Sequence, residues 1–156
     1  MIISMYFEFS ILIHRLPSDV FAFLRDKDPF PQEKGSPVLI LEKTTVGPAG
    51  VGTCYREVVQ MLPFVKGEIL SEITRYEPCQ FIEEDFEGAS MKGHLAYQFL
   101  PEGGGTMLIQ RETLSALGLL KPLELVIERM LSRKLQERLE EIKDVLESGW
   151  SVTDQG

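Results

Sequence analysis

Cysteine, histidine and tryptophan are scarce in this chain: two, two and one among 156 residues. Cys54 and Cys79 form no CxxC pair and no spaced framework, so they read as reduced thiols of a cytoplasmic protein. His14 and His94 stand far apart without clustered partners, and no metal or cofactor is expected. Positive charge is also in short supply. Sixteen Lys and Arg against 24 Asp and Glu give a net charge of −8, and an acidic domain without a basic stripe repels a phosphate backbone, which excludes nucleic acid. Missing too is any run of roughly 20 uncharged apolar residues, so no membrane span is expected. The opening MIISMYFEFSILIHR lacks a basic start, carries Glu8 and offers no cleavage site, unlike a signal peptide. No Ser-His-Asp or Cys-His set can be assembled, and the catalytic residues, if any, stay unassigned.

What is present suits a folded chain: 44% hydrophobic and 26% charged residues, enough for one domain with a real core. Residues 2–13 predict a strand with Phe7, Phe9, Ile11 and Ile13 on one face. Pro17, Ser18 and Asp19 start a short helix, and three prolines across 29–37 make a loop. From Val38 to Ser115 strand follows strand: VLILEKTT, TCYREVVQM, VKGEILSEITRY, FIEEDF, HLAYQFL and TMLIQRETLSA. Their connections are short and carry Gly or Pro, which favours antiparallel neighbours and leaves no room for βαβ crossovers. The expected order is one strand, one or two short helices, six strands and a long helix. The domain covers 1–149, with a tail over 150–156.

The final helix opens with PLELVIERMLSRKL, from Pro122, and Gly149 suits its exit. Leu123, Val126, Ile127, Met130 and Leu131 share one face, with Leu125 opposite. At Lys134 the apolar face drifts to Leu135, Leu139, Ile142 and Leu146. The unbroken four-residue steps argue against a left-handed coiled coil, and Glu124, Glu128 and Arg129 exclude a membrane helix. Two readings remain: both halves are core, or the first half spans a gap over the sheet, facing Tyr55, Tyr97 and Leu108.

The segments GPAGVGTCYREVV, ITRYEPCQF, YQFLPEGGGT and LLKPLELVIERMLSRKLQERLEEIKDVLE occur in an order that resembles the polyketide cyclase/dehydrase branch of the START-like (SRPBCC, helix-grip) superfamily. The resemblance implies an α+β helix-grip fold: a curved seven-stranded antiparallel sheet wrapped around the C-terminal helix, with a hydrophobic pocket between them. It differs from that branch between Arg25 and Pro37, where Phe30 is the nearest substitute for a tryptophan.

In such a fold alternate strand residues face the pocket. The candidate ligand-binding set is Tyr55, Glu57 and Val59; Leu95, Tyr97 and Phe99; Leu108, Gln110 and Glu112; and Leu123, Ile127 and Met130 on the helix. Glu57, Gln110 and Glu112 are the interior polar candidates, and a carboxyl in an apolar cavity is suited to acid/base work. Alternation turns His94 outward. EGGGT precedes a strand rather than a helix, so it is a hairpin turn and not a phosphate loop. Glu83-Glu84-Asp85 reads as a solvated edge, not a calcium site. The leading expectation is binding of a hydrophobic or aromatic small molecule, lipid or polyketide-like. The alternatives are a cyclase or dehydratase that uses enclosed carboxyls and tyrosines, and a protein-interaction module.

Overall fold

The computed structural model describes residues 5–25, 38–62, 65–89 and 91–151. Strand β1 (Met5–Ile13) leads into helix α1 (Pro17–Leu24). Six strands follow: β2 (Val38–Lys43), β3 (Cys54–Leu62), β4 (Val65–Glu77), β5 (Phe81–Gly88), β6 (Met91–Glu102) and β7 (Gly105–Ala116). A 3-10 turn (Gly118–Leu123) precedes helix α2 (Glu124–Glu147). The predicted loop over 29–37 and the start of the first strand lie outside the described residues. Pro122 sits inside the 3-10 turn, so α2 begins two residues later than its sequence suggests.

The seven strands form one antiparallel sheet in the order β1-β7-β6-β5-β4-β3-β2. Strands β2 to β7 are a meander, and β1 joins beside β7, leaving β1 and β2 as the edges. Irregular register at Val38/Ile40, Gln60/Leu62 and Ile73/Arg75 bends the sheet, as bulges do. The EGGG segment is the hairpin its sequence predicts. Glu102 pairs with Gly105, and Gly103 and Gly104 both take positive φ, 55° and 81°, as a two-residue turn requires. Together with α1 and α2 this makes an α+β helix-grip fold.

One face of the sheet carries the core. Phe7 and Ile13 are buried and Phe9 and Ile11 half-buried, while Tyr6, Glu8 and Ser10 point to solvent. Two apolar clusters divide this face. The first joins Ile82, Phe99 and Leu108 to Phe21 and Leu24 of α1 and to Leu139, Ile142 and Leu146 of α2. The second joins Met5, Phe7, Val59, Ile69, Met91 and Leu114 to Ile127, with Leu131 and Leu135 at its margin. Leu108 therefore packs with the C-terminal half of α2, not with residues 123–131 as the sequence suggests. Trp150 stacks edge-on against Phe23 at 5.0 Å, so the start of the expected tail is packed on α1.

The two halves of α2 are held very differently. Near the C-terminus, Lys143 Nζ donates to the Leu12 carbonyl at 2.6 Å and pairs with Glu147 at 2.7 Å. The His14 backbone N–H donates to Glu147, and the Arg15 guanidinium donates to the Leu146 carbonyl. In the N-terminal half only Ile127 is buried. Val126 is 59% exposed and Leu125 77%, so the shared face expected for Leu123, Val126 and Ile127 is only partly covered.

The opposite face is stitched by cross-strand ion pairs. Arg56 bridges Glu68 and Glu42, and Arg111 pairs with Glu8. Arg75 pairs with Glu83 at 2.8 Å and lies over the Phe81 ring. His94 points outward as alternation predicts: Nδ1 meets Asp85 at 2.6 Å and Nε2 meets Glu83 at 2.9 Å. A carboxylate at each nitrogen favours the doubly protonated ring, in which both nitrogens donate. Partial burial pulls the His94 pKa down, but the hydrogen bonds to Asp85 and Glu83 outweigh it, and the value is raised from 6.5.

This packing makes two outcomes measurable. Leu146→Ala, in the locked half of α2, should cost about 2–5 kcal/mol in urea unfolding, whereas Val126→Ala should stay within about 0.5 kcal/mol. For His94, a raised folded pKa means that its stabilising contribution is complete below about pH 6.5 and fades as pH climbs through the folded value. Between about pH 6 and pH 8 the melting temperature should therefore fall more steeply for the wild type than for His94→Gln. Parallel slopes would show that the ring is not charged in the native state.

Candidate functional site

The strand register turns the core face into rows of side chains that cross neighbouring strands. One row runs Tyr55, Ser71, Phe86, Gly93, Leu114 and Met5. At Gly93 a side chain would collide with the Thr113 carbonyl and the Phe86 ring, so Phe86 occupies that space instead. The next row runs Ile73, Glu84, Leu95, Glu112 and Phe7. The third runs Tyr76, Ile82, Tyr97, Gln110 and Phe9.

Among the polar residues of these rows, five form a stripe, one from each of strands β3 to β7: Tyr55, Ser71, Glu84, Tyr97 and Gln110, with Tyr76 and Glu112 beside it. They lie obliquely across the sheet. Ser71 is buried and its Oγ has no hydrogen-bond partner; Gln110 is 2% exposed and its Oε1 has none either. Buried polar atoms without partners are rare, because each forfeits its hydration with no return.

Beside this stripe is a small cavity of about 20 Å³, lined by Leu24 of α1, by Arg25 just after it, and by Tyr55, Ile73, Ile82, Glu84, Leu95 and Tyr97 of β3 to β6. Its walls come from the sheet and α1, with no α2 residue among them. Space of this size holds about one water. Tyr55 and Tyr97 thus meet α1 rather than residues 123–131, the partners expected from sequence.

Of the residues singled out from sequence, Tyr55, Leu95 and Tyr97 come together at the cavity. Gln110 joins them through its pairing with Tyr97. Glu112 sits half-buried between Leu95 and Phe7. Phe99 and Leu108 belong to the core cluster under α1, and Val59 and Ile127 to the cluster under the front of α2. Glu57 is half-buried across from Ile69; Met130 is half-buried and Leu123 exposed. Among the described residues no group of three or more His, Cys, Asp or Glu could hold a metal ion.

Sequence reasoning misses Glu84. The run Glu83-Glu84-Asp85 reads as a solvated edge, but β5 is interior, flanked by β4 and β6. Glu83 and Asp85 do face outward, towards His94, whereas Glu84 is 6% exposed and lines the cavity. The signal that could have found it is its parity with Ile82 and Phe86.

Comparison with known proteins gives the site its context. The model of the family described as "Polyketide cyclase / dehydrase and lipid transport" matches residues 6–147. A search of curated proteins found no match. Among solved structures, TTHA0849 from Thermus thermophilus is similar with a TM-score of 0.76 at 20% identity, over 94% of this chain and 100% of that one. Ara h 8.0201 gives 0.72 at 17% identity, over 94% of this chain and 99% of that one. The di-domain ARO/CYC StfQ from the steffimycin biosynthetic pathway gives 0.73 at 16% identity, over 93% of this chain and 51% of that one. At such identities these likenesses speak for the fold alone. On the match across nearly its whole length, with the helix-grip architecture in place, the chain belongs to the polyketide cyclase/dehydrase and lipid transport family.

Proposed function

We propose that the protein binds a hydrophobic or aromatic small molecule, lipid or polyketide-like, in the seam between the core face of the sheet and the helices. The observation that carries this reading is the pair of buried, unpartnered polar atoms, Ser71 Oγ and Gln110 Oε1, in an apolar face beside a cavity. The wall would be Tyr55, Glu57, Val59, Leu95, Tyr97, Phe99, Leu108, Gln110 and Glu112, with Leu123, Ile127 and Met130 as the helical side. Family membership supports the same class of ligand.

A drug-sized ligand occupies several hundred Å³, far beyond the present cavity, so binding requires the seam to open. The front of α2 is the element suited to move. It has no side-chain cap at Leu123, it exposes Leu125 and Val126, and it follows a Pro-bearing 3-10 turn. Local opening draws on such thinly packed segments, while the locks on Lys143 and Glu147 hold the far end.

A second reading is a cyclase or dehydratase, favoured by the burial of Glu84 beside Tyr55 and Tyr97. A carboxyl and two phenols around one cavity can pass protons to and from a bound carbonyl compound.

Native mass spectrometry of protein from its own host should reveal a co-purifying small molecule. Adding that compound at a hundred times its Kd should stabilise the fold by about 2.7 kcal/mol, raising Tm by roughly 5–10 °C. Amides of 124–131 should exchange faster than those of 139–147 and slow on binding. No bound molecule, with uniform exchange along α2, would count against the site. For the enzyme reading, Glu84→Gln, Glu57→Gln and Glu112→Gln are assayed on a verified substrate; undiminished turnover in all three would remove the carboxyls from the chemistry.

A further inference from the structure

Helix α2 has a second face that the core does not use. Ile127, Leu131 and Leu135 turn inward to the cluster under its front half. On the opposite side Leu125, Arg129, Arg133 and Val126 fall within about 100° of arc, and all four are exposed. Lys121 stands exposed just before them in the 3-10 turn. Further along the same outward face the charge reverses, through Glu137, Glu140 and Asp144, again all exposed.

The split holds for the whole segment. From Lys121 to Lys134 four basic residues meet two acids, whereas from Leu135 to Glu147 two basic residues meet five. The ion pairs of α2 lie in its second part, Arg138 with Glu141 and Lys143 with Glu147. Among the described residues, Lys121, Arg129 and Arg133 enter none. Helix stability does not account for this order. Arg129 and Arg133, four residues apart, repel each other, and the macrodipole disfavours the acids of a last turn that holds no basic residue. A chain of net charge −8 thus keeps cations without counter-ions beside two exposed apolar side chains.

We propose that this outward face, Leu125 and Val126 with Lys121, Arg129 and Arg133, docks the protein on an anionic lipid surface. Charge selects the partner, because unpaired cations complement a layer of phosphate and carboxylate head groups. Composition favours a bilayer over an acidic protein. A stable protein interface buries about 800 Å² on each side around aromatic anchors, whereas α2 contains no aromatic residue and offers two aliphatic side chains among basic ones. That is the pattern of a helix lying in the interfacial plane, with apolar tips at the acyl boundary and basic groups among the phosphates. The acids behind Arg133 are repelled, so the front of α2 meets the surface and its far end is held off. Docking of this kind needs no spanning helix, and none among the described residues is long and apolar enough to be one. Nor does it require a ligand in the seam.

The test is co-sedimentation of the full chain with vesicles of phosphatidylcholine, alone or in about equal parts with phosphatidylserine. The mixed vesicles should take up the protein about tenfold or more strongly, and raising salt from about 0.1 M to about 0.5 M should remove most of that gain. The double variant Arg129→Gln/Arg133→Gln should weaken uptake roughly twentyfold, at about fivefold for each cation. Leu125→Gln should weaken it severalfold. Arg138→Gln, off the face, controls for net charge and should stay within about twofold of the wild type. The face positions are exposed, so melting temperatures should stay near that of the wild type.

Equal uptake by the two kinds of vesicle, uptake by neither, or uptake that survives the double variant would overturn the docking face. A dimer that forms with concentration and is lost in Leu125→Gln, with vesicles ignored, would give the face to a second copy instead. Retention on polyglutamate without vesicle uptake would give it to an acidic protein, and either result would overturn the lipid assignment.

Discussion

The C-terminal half of α2 is tied to the end of β1, and much of the architecture depends on that tie. Lys143, Glu147 and the Leu146 carbonyl meet Leu12, His14 and Arg15, while Thr106 Oγ1 donates to the Arg15 carbonyl and brings β7 into the same knot. Long-range contacts of this kind join the first strand to the last helix across nearly the whole chain. Each is modest alone, but Leu139, Ile142 and Leu146 are buried directly beside them, and it is that burial which supplies the stabilisation. With one end pinned, the other end of α2 is the more thinly packed.

The sheet beneath α2 is organised by register. Antiparallel pairing fixes which side chains share a row, and a one-residue slip would send every inward group to solvent. Ion pairs on the outer face and apolar clusters on the inner face specify the same register. The polar stripe from Tyr55 to Gln110 follows from it, since those residues lie far apart in sequence and meet only because their strands are neighbours. An interior that keeps unpartnered polar atoms gives up stability relative to a wholly apolar one.

Much of the fold was legible in the chain. Alternation in Phe7, Phe9, Ile11 and Ile13, the Gly-bearing turns and the absence of crossover helices led to the antiparallel meander. The outward aim of His94 and the hairpin at Glu102–Gly105 followed from local rules. Glu84 escaped because three successive acids look like surface, and that judgement weighs composition over parity. Its neighbours Ile82 and Phe86 share its face, yet only the packing of α1 over that face shows that it is enclosed. Val126 escaped in the opposite sense: about 100° round the helix from Ile127, it still falls on the apolar face read from sequence, but coverage depends on what stands opposite.

Sequence by itself determined the local periods, the turn positions and the charge balance, because these follow from side-chain sterics and solvation within a few residues. Tertiary structure alone decided which acidic residue is buried, which half of α2 is locked, and that the cavity is walled by α1 rather than α2. Those outcomes turn on the distances between elements, which no single stretch of chain encodes.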